Sequence, residues 1–216
     1  MSRNVTLSLA MIGAAVLLLV GFLFFTGDKD EPTPTAAPSG TAGAAMLVRD
    51  DSPRLSQGGD AVFVEFLDFE CEACLALHPV IEDLRTTYGD RVTFVIRHMP
   101  LHRNSVDAAL AAEAAADQGK FEAMYQRLFQ TAQQWGHQEA SQRDVFFTYA
   151  KELGLDMERF TASYDDEATL RRIEQSKQDG RAAGVTGTPT FFLDGTLLQP
   201  QSIAELREAV DAAVRD

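Results

Sequence analysis

The hydrophobic positions of the chain fall into one long uncharged run, followed by shorter runs with the spacing of strands and helices. The long run, residues 7–25, contains 19 residues without a charge, about the length that spans the hydrocarbon core of a membrane. A cleaved signal peptide is the alternative, but its apolar region usually extends over only about 7–15 residues. Because Arg3 precedes the run and acidic residues follow it, we expect residues 1–27 to form an uncleaved membrane anchor, with the rest of the chain outside the cytoplasm.

Residues 28–45 have the composition of a linker between that segment and a folded domain. They include three prolines and two glycines, and they contain no large apolar side chain. Such a stretch cannot bury a core, and its prolines stiffen it. We expect it to hold a domain made of residues 46–216 away from the membrane.

The first half of that domain has the pattern of a strand–helix–strand unit. Residues 61–67 are mainly β-branched and aromatic and contain one acidic residue, which is typical of a buried strand. A helix is predicted over residues 71–88, kinked or restarted at Pro79, and a second strand over residues 91–97. This unit predicts two parallel strands, and a further short strand is expected within residues 46–57.

The second half is mostly helical and returns to strands near its end. From residue 104 to about residue 184 the apolar spacing is that of helices, with Ser141 and Asp156 as candidate N-caps. Asp194-Gly195 is a strong signal for a two-residue hairpin turn. The predicted elements are helices over residues 105–118, 121–132, 141–153, 156–163 and 167–184, strands over residues 190–193 and 196–198, and a closing helix over residues 201–214.

Composition limits the class of protein further. The chain has 216 residues, of which 45% are hydrophobic, so one domain can bury a sizeable core. A net charge of −13 argues against nucleic acid as a partner and favours neutral or cationic proteins. The chain has two cysteines, both in one Cys-x-x-Cys motif, so no other pair is available for a structural disulfide.

The two cysteines lie where the first predicted strand ends and the helix begins. At the first helical turn, unpaired backbone N–H groups and the helix dipole favour the thiolate of Cys71. Cys74 follows three residues later on the same face, close enough to form a disulfide. A Cys-x-x-Cys in this position is typical of thiol–disulfide exchange, with Cys71 as the nucleophile and Cys74 as the residue that resolves the mixed disulfide.

Two other interpretations of a cysteine pair carry less weight. A structural zinc site needs four ligands, and the chain has no second cysteine pair. Free cysteines are often buried and inert, but that interpretation leaves the strand–Cys-x-x-Cys–helix arrangement unexplained. We therefore predict no metal site, and no cofactor apart from the redox-active Cys71–Cys74 disulfide itself.

Several motifs occur together in this chain: Val64-Glu65-Phe66, Asp68-Phe69-Glu70-Cys71, Pro79 and the stretch GTPTFF at residues 187–192. Together they resemble the DsbA-like branch of the thioredoxin superfamily, over about residues 47–216. The resemblance implies a thioredoxin-like α/β fold, in which a central mixed sheet is flanked by helices and a helical subdomain is inserted at about residues 104–184. Many members have Pro after the first cysteine, whereas this chain has Glu72, so the redox strength of the family does not carry over.

The same resemblance assigns roles to residues around the pair. It implies that Glu65 is buried beneath the disulfide and moves a proton to or from Cys74. Alternation along the strand places Glu65 among apolar side chains, where burial raises its pKa; an exposed Glu65 on an edge strand is the alternative. Gly187, Thr188 and Pro189 would form a cis-proline loop that binds an extended client segment.

Charged and titratable side chains near the pair receive less specific roles. Glu70 and Glu72 flank Cys71 and are expected to point to solvent, where they oppose its ionisation. We predict a pKa for Cys71 between about 7 and about 3.5. The four histidines are interpreted as structural or surface residues: His78, His98, His102 and His137.

The first functional hypothesis is a membrane-anchored, extracytoplasmic thiol–disulfide oxidoreductase that introduces disulfides into secreted or cell-surface proteins. Its partners would be proteins with free thiols and a membrane-bound, quinone-linked protein that reoxidises the pair. A thiol reductase in an extracytoplasmic reducing pathway would use the same residues. A thioredoxin-like binding or chaperone module is the third hypothesis, and it predicts that a double cysteine variant keeps its biological effect.

Overall fold

The structure is a computed structural model that describes residues 41–215. The predicted anchor, residues 1–27, and most of the predicted linker therefore lie outside the described residues. Within residues 41–215, no helix is both long enough and apolar enough to cross a membrane. In chain order the elements are α1 Thr41–Leu47, β1 Ala61–Leu67, α2 Glu72–Tyr88, β2 Val92–His98, α3 Ser105–Ala116, α4 Phe121–Gln130, α5 Ala132–Trp135, α6 Arg143–Glu152, α7 Met157–Tyr164, α8 Glu167–Ala182, β3 Thr190–Leu193, β4 Thr196–Leu198 and α9 Ile203–Ala213.

The four described strands form one mixed sheet in the order β2-β1-β3-β4. β1 and β2 are parallel, with Ala61 opposite Val92. β3 is antiparallel to β1, with Phe63 opposite Leu193, and β4 is antiparallel to β3. This sheet and its flanking helices confirm the predicted α/β class, and they place β1 between two neighbours, so Glu65 is not on an edge strand.

The two faces of β1 belong to two different apolar clusters. Phe63 and Leu67 are buried in the larger cluster, which also contains side chains of α2 and of the helical segment between β2 and β3. Val64 and Phe66 are buried in a smaller cluster on the opposite face. Strand alternation therefore puts Glu65 on the side of the larger cluster, and only 2% of its surface is exposed.

The segment between β2 and β3 forms the predicted helical insertion, α3 to α8. Asp156 is an N-cap as expected, since its side chain accepts hydrogen bonds from the backbone N–H groups of Glu158 and Arg159. Ser141 is not: Gln142 occupies the N-cap of α6. The short helix α5 is not predicted by the sequence pattern, which ends the preceding helix at residue 132; α5 ends at Trp135, whose indole N–H donates to the Leu128 carbonyl.

The strand expected within residues 46–57 does not form. Instead, α1 covers residues that the composition assigned partly to the linker, and Arg54 makes only an isolated bridge with Val95. The guanidinium of Arg97 explains the difference, because it donates to the carbonyls of Met46 and Leu47 at 2.9 Å each and so satisfies the C-terminal end of the helix. Leu47 itself is buried in the smaller cluster.

The helix α2 is one uninterrupted helix, so of the two alternatives at Pro79, a kink or a restart, the restart is wrong. It begins after Cys71, its N-cap residue, and ends at the C-cap Gly89. A proline inside a helix removes one backbone hydrogen bond, but burial of Ile81 and Leu84 holds the second half of this helix against the sheet.

Candidate active site

The two cysteines lie at the start of α2, just beyond the end of β1. Both thiols are free, so the structure shows the reduced pair. Cys71 is the N-cap residue, and its backbone N–H donates to the Asp68 carbonyl at 3.1 Å. Cys71 retains 9% of its surface and Cys74 only 1%. A client thiol can therefore reach Cys71 more readily than Cys74.

The loop before β3 faces Cys71 from the other side. The thiol of Cys71 donates to the carbonyl oxygen of Thr188 at 3.3 Å. The Thr188–Pro189 peptide bond is cis, the isomer that the resemblance implies. The hydroxyl of Thr190 donates to the Gly187 carbonyl at 2.8 Å, which closes the loop. The loop assigned to client binding thus contacts the more exposed cysteine through Thr188.

The two thiols have strongly different acidities. The pKa of Cys71 is lowered to about 5, first by the hydrogen bond from the Cys74 thiol and then by those from the Thr188 side chain and the backbone of Ala73 and Cys74, against the effect of burial. The pKa of Cys74 is raised, because it donates to Cys71, is buried and faces the charge of Glu65. The value for Cys71 lies within the predicted range, but its largest cause is the neighbouring thiol rather than the helix N-terminus.

Glu65 is buried, as predicted, and it is near enough for its charge to act on Cys74. Its pKa is raised to about 8, first by burial and then by the charges of Glu82 and Cys71. Its Oε2 atom has no hydrogen-bond partner among the described residues. Glu65 is therefore protonated near neutral pH. It can exchange a proton with its surroundings near Cys74, whose pKa is raised when Glu65 is ionised.

An open cleft of about 380 Å³ adjoins the loop that contains Pro189. Its walls combine apolar side chains with residues of β4, the last strand of the sheet within the described part of the chain. Residues lining it include Leu77, Thr186, Pro189, Phe191, Leu197 and Leu198. Such a surface can accept an extended, partly apolar peptide beside Cys71.

The expectation that Glu70 points to solvent is wrong. Its carboxylate is buried and accepts hydrogen bonds from the backbone N–H of Asn104 at 2.8 Å, from the hydroxyl of Ser105 at 3.1 Å and from the backbone N–H of His137 at 2.6 Å. All three donors come from the helical insertion. Glu72 behaves as expected, since 77% of its side chain is exposed.

Asp68 is a second buried acid that the sequence did not single out. Its carboxylate accepts from the backbone N–H groups of Glu70 and Leu101 at 2.8 and 2.7 Å. It also accepts from the hydroxyl of Ser105 and from the imidazole of His102, whose Nδ1 lies 2.7 Å away. Asp68 thus joins the end of β1 to the segment after β2, immediately before Cys71.

The four histidines divide into two pairs. His78 packs on the ring of Phe129 at 4.5 Å, and His98 lies 2.8 Å from Glu113, so these two are structural as expected. His102 and His137 instead lie beside the acidic residues that flank Cys71. Within the part of the chain that the structure describes, no group of three or more His, Cys, Asp or Glu side chains is arranged to hold a metal ion.

Curated sequences include relatives that are much longer than this chain. The Na(+)/H(+) antiporter NhaA of Herminiimonas arsenicoxydans is 38% identical over 165 residues, which make up 76% of this chain and 26% of the antiporter. The chain spans about a quarter of the length of the first curated relatives that it matches.

Solved structures share the fold over most of the chain. A thioredoxin-like oxidoreductase from Silicibacter pomeroyi DSS-3 superposes with a TM-score of 0.67 at 29% identity, covering 80% of this chain and 98% of that one. The thiol-disulfide exchange protein alpha-DsbA2 from Wolbachia pipientis gives a TM-score of 0.67 at 23% identity, with 79% and 91% covered, which shows the fold alone. The family described as Thioredoxin matches residues 58–212. The strand–Cys-x-x-Cys–helix unit, the facing Thr188–Pro189 loop and this match together show that the chain belongs to the thioredoxin family.

Proposed function

We propose that the chain is a DsbA-like thiol–disulfide oxidoreductase that introduces disulfides into proteins outside the cytoplasm. The asymmetry of the cysteine pair carries this proposal. Cys71 is partly accessible with a pKa lowered to about 5, whereas Cys74 is buried with a raised pKa. A stabilised thiolate on Cys71 makes the reduced pair more stable and its disulfide a stronger oxidant.

The oxidised pair would react in two exchange steps. A client thiolate attacks the sulfur of Cys71, the Cys71–Cys74 bond breaks, and the leaving thiolate of Cys74 takes a proton through the protonated Glu65. A second client thiolate then attacks the client sulfur of the mixed disulfide. Cys71 leaves as a thiolate, which its low pKa favours. The client loses two electrons and gains a disulfide, and the pair is left reduced.

Client binding would use the loop of Gly187, Thr188 and Pro189 together with the adjoining cleft. The Thr188 carbonyl already accepts a hydrogen bond from Cys71, so a peptide paired along this loop brings its own sulfur close to the same atom. The apolar walls of the cleft suit clients that are not yet folded.

The cellular setting is part of the same proposal. Disulfides persist in oxidising compartments, and the uncharged run of residues 7–25 after Arg3 fits a single anchor with the domain outside the cytoplasm. Each turnover leaves two thiols, so an oxidant must restore the pair. We assign that step to a membrane-bound, quinone-linked protein.

Trapping of clients tests the roles of the two cysteines. Cys74→Ala leaves Cys71 with no partner to resolve the mixed disulfide, so clients should accumulate on it in non-reducing gels. Cys71→Ala should trap little, because the remaining thiol is buried. Equal trapping by the two variants would contradict the assigned order of attack.

The redox potential decides the direction of electron flow. We expect a value of roughly −130 to −230 mV, within the range of oxidising folding catalysts, when the pair is equilibrated with glutathione. A potential below about −270 mV, that of thioredoxin, would favour the reductase instead. A double cysteine variant that keeps its biological effect would favour the binding or chaperone module.

A further inference from the structure

The residues next to Cys71 in sequence are acidic, and such negative charges should raise the pKa of its thiol rather than lower it. Neither residue between the cysteines is basic, and one of them is Glu72. Glu70 and Asp68 come just before the pair and are buried. Three carboxylates this close oppose a thiolate unless positive charge stands beside them.

The imidazole of His102 is held on this segment by a short chain of hydrogen bonds. Its Nδ1 lies 2.7 Å from the carboxylate of Asp68, and its backbone N–H donates to the same oxygen at 3.2 Å. The backbone carbonyl of Asp68 in turn accepts the N–H of Cys71. A single residue, Asp68, thus links the imidazole of His102 to the backbone of Cys71, although His102 and Cys71 are far apart in sequence.

A second imidazole, that of His137, comes from the helical insertion and lies next to His102. The ring of His137 lies 5.5 Å from that of His102, nearly perpendicular to it. Its Nε2 is 3.1 Å from the carboxylate of Glu72, and its backbone N–H donates to Glu70. The φ angle of His137 is 57°, a left-handed conformation that costs energy for a non-glycine residue and aims this N–H at the buried carboxylate.

We propose that His102 is a positioning residue for the exchange reaction, whose imidazolium, held by Asp68, offsets the negative charge around Cys71 and so stabilises its thiolate. This inference rests on the proposed function, because it assigns to the loop between β2 and α3 a part in setting the oxidising strength of the pair. In place of a basic residue between the cysteines, the chain would supply the charge from the segment that follows β2.

The electrostatics of His102 agree with the geometry. Burial alone would lower its pKa, but the hydrogen bond to Asp68 and the charges of Asp68, Glu70 and Cys71 together raise it. The interaction between two charges is reciprocal. If the thiolate of Cys71 favours protonation of His102, protonated His102 favours the thiolate of Cys71 to the same extent. The charged and titratable groups on the elements around His102 are Asp68, Glu70, Cys71, Glu72, Arg103, His137, Glu139 and Lys177.

Titration of His102 in both redox states tests this reciprocity directly. In full-length protein labelled at histidine, NMR should show a pKa of His102 that is higher in the reduced than in the oxidised form by about 0.5, because oxidation removes the thiolate charge. A purely structural His102 would titrate alike in both forms. Identical pKa values, within about 0.1, would overturn the proposal whatever its variants do.

A matched pair of variants measures the same interaction from the side of the thiol. His102→Gln keeps a donor for Asp68 but removes the charge, and it should raise the pKa of Cys71, followed by thiolate absorbance, by about 0.5 to 1. Arg103→Gln removes a neighbouring cation that pairs with the exposed Glu139, and solvent screening should leave the pKa of Cys71 within about 0.2 of wild type. If the two variants changed the pKa of Cys71 equally, His102 would act only as any surface charge does, and its assigned role would be overturned.

These measurements need no client, so they separate this inference from the proposed function. If the redox-dependent titration is seen and no client is trapped, the proposed function fails while the interaction between His102 and Cys71 stands. If clients are trapped and neither the titration nor the variant shows an effect, His102 has no part in the reaction.

Discussion

Two buried glutamates precede Cys71, and the structure uses them in opposite ways. Glu65 on β1 has one carboxylate oxygen unpartnered among the described residues, and its pKa is raised to about 8. Glu70, after the strand, accepts three hydrogen bonds from the helical insertion. Both are almost fully buried. Burial alone therefore does not fix the role of an acid; the donors around it do.

The secondary structure explains why the donors differ. Along β1, backbone N–H groups are taken up by pairing with β2 and β3, and the neighbours of Glu65 on its face are Phe63 and Leu67. Beyond the strand, Glu70 meets the start of α3, where backbone N–H groups have no partner within the helix. One acid can thus carry a proton, while the other fixes the insertion to the cysteine loop.

The largest effect is expected from Glu65→Gln in the reduced protein. Between pH 4.5 and about 8, an ionised Glu65 in the unfolded chain must take up a proton on folding, so the free energy of unfolding falls as pH rises through this window. Gln removes that cost. As the pH rises from 5 to 8, the free energy of unfolding of the variant should therefore increase by about 4 kcal/mol relative to that of wild type, measured by urea unfolding. Exchange at Cys74 should slow at least about tenfold near neutral pH.

The comparison with wild type at each pH isolates Glu65. The thiolate of Cys71 adds an opposite slope, since its lowered pKa stabilises the reduced protein progressively above pH 5, but it does so in both proteins. A constant difference in stability across this range would mean that Glu65 is ionised in the folded state.

Local signals were enough to predict the burial of Glu65 and the sheet around it. Alternation along residues 61–67 identified the buried face that holds Glu65. Both strands of the final hairpin were predicted with the bounds that the structure has, because Asp194 and Gly195 adopt the positive φ angles that such a turn needs. These features depend on neighbours in sequence or on a single motif, and sequence patterns capture such neighbours well.

The other acidic site could not be predicted in the same way. The donors to Glu70 come from Asn104, Ser105 and His137, which are 34, 35 and 67 residues away. The partner of Asp68, His102, is likewise 34 residues away. Nothing in a single sequence shows which face of an inserted helical segment will meet the cysteine loop. Because the sequence shows no partner for Glu70, it predicts that this side chain points to solvent.

A smaller effect is expected from removing the fixed acid. Glu70→Ala leaves the backbone N–H groups of Asn104 and His137 without their acceptor, while Ser105 keeps Asp68, and it should lower the free energy of unfolding by about 3 kcal/mol. Glu72→Ala, two residues on, is the matched control, because its side chain is mostly exposed and should change stability by no more than about 0.5 kcal/mol. Urea unfolding of both variants measures the difference. Equal losses would mean that Glu70 does not hold the insertion in place.

The smallest effect concerns the exposed acid next to the nucleophile. Glu72→Gln removes a negative charge beside Cys71 and should lower the pKa of its thiol by about 0.2 to 0.4, measured by thiolate absorbance at low salt. Because 77% of the Glu72 side chain is in solvent, about 0.5 M salt should abolish most of this difference. The effect of His102→Gln should persist at the same salt concentration, since Asp68 is buried and holds the imidazole at 2.7 Å. A salt-resistant effect of Glu72→Gln would show that this carboxylate, like Glu70, acts at close range on the cysteine loop.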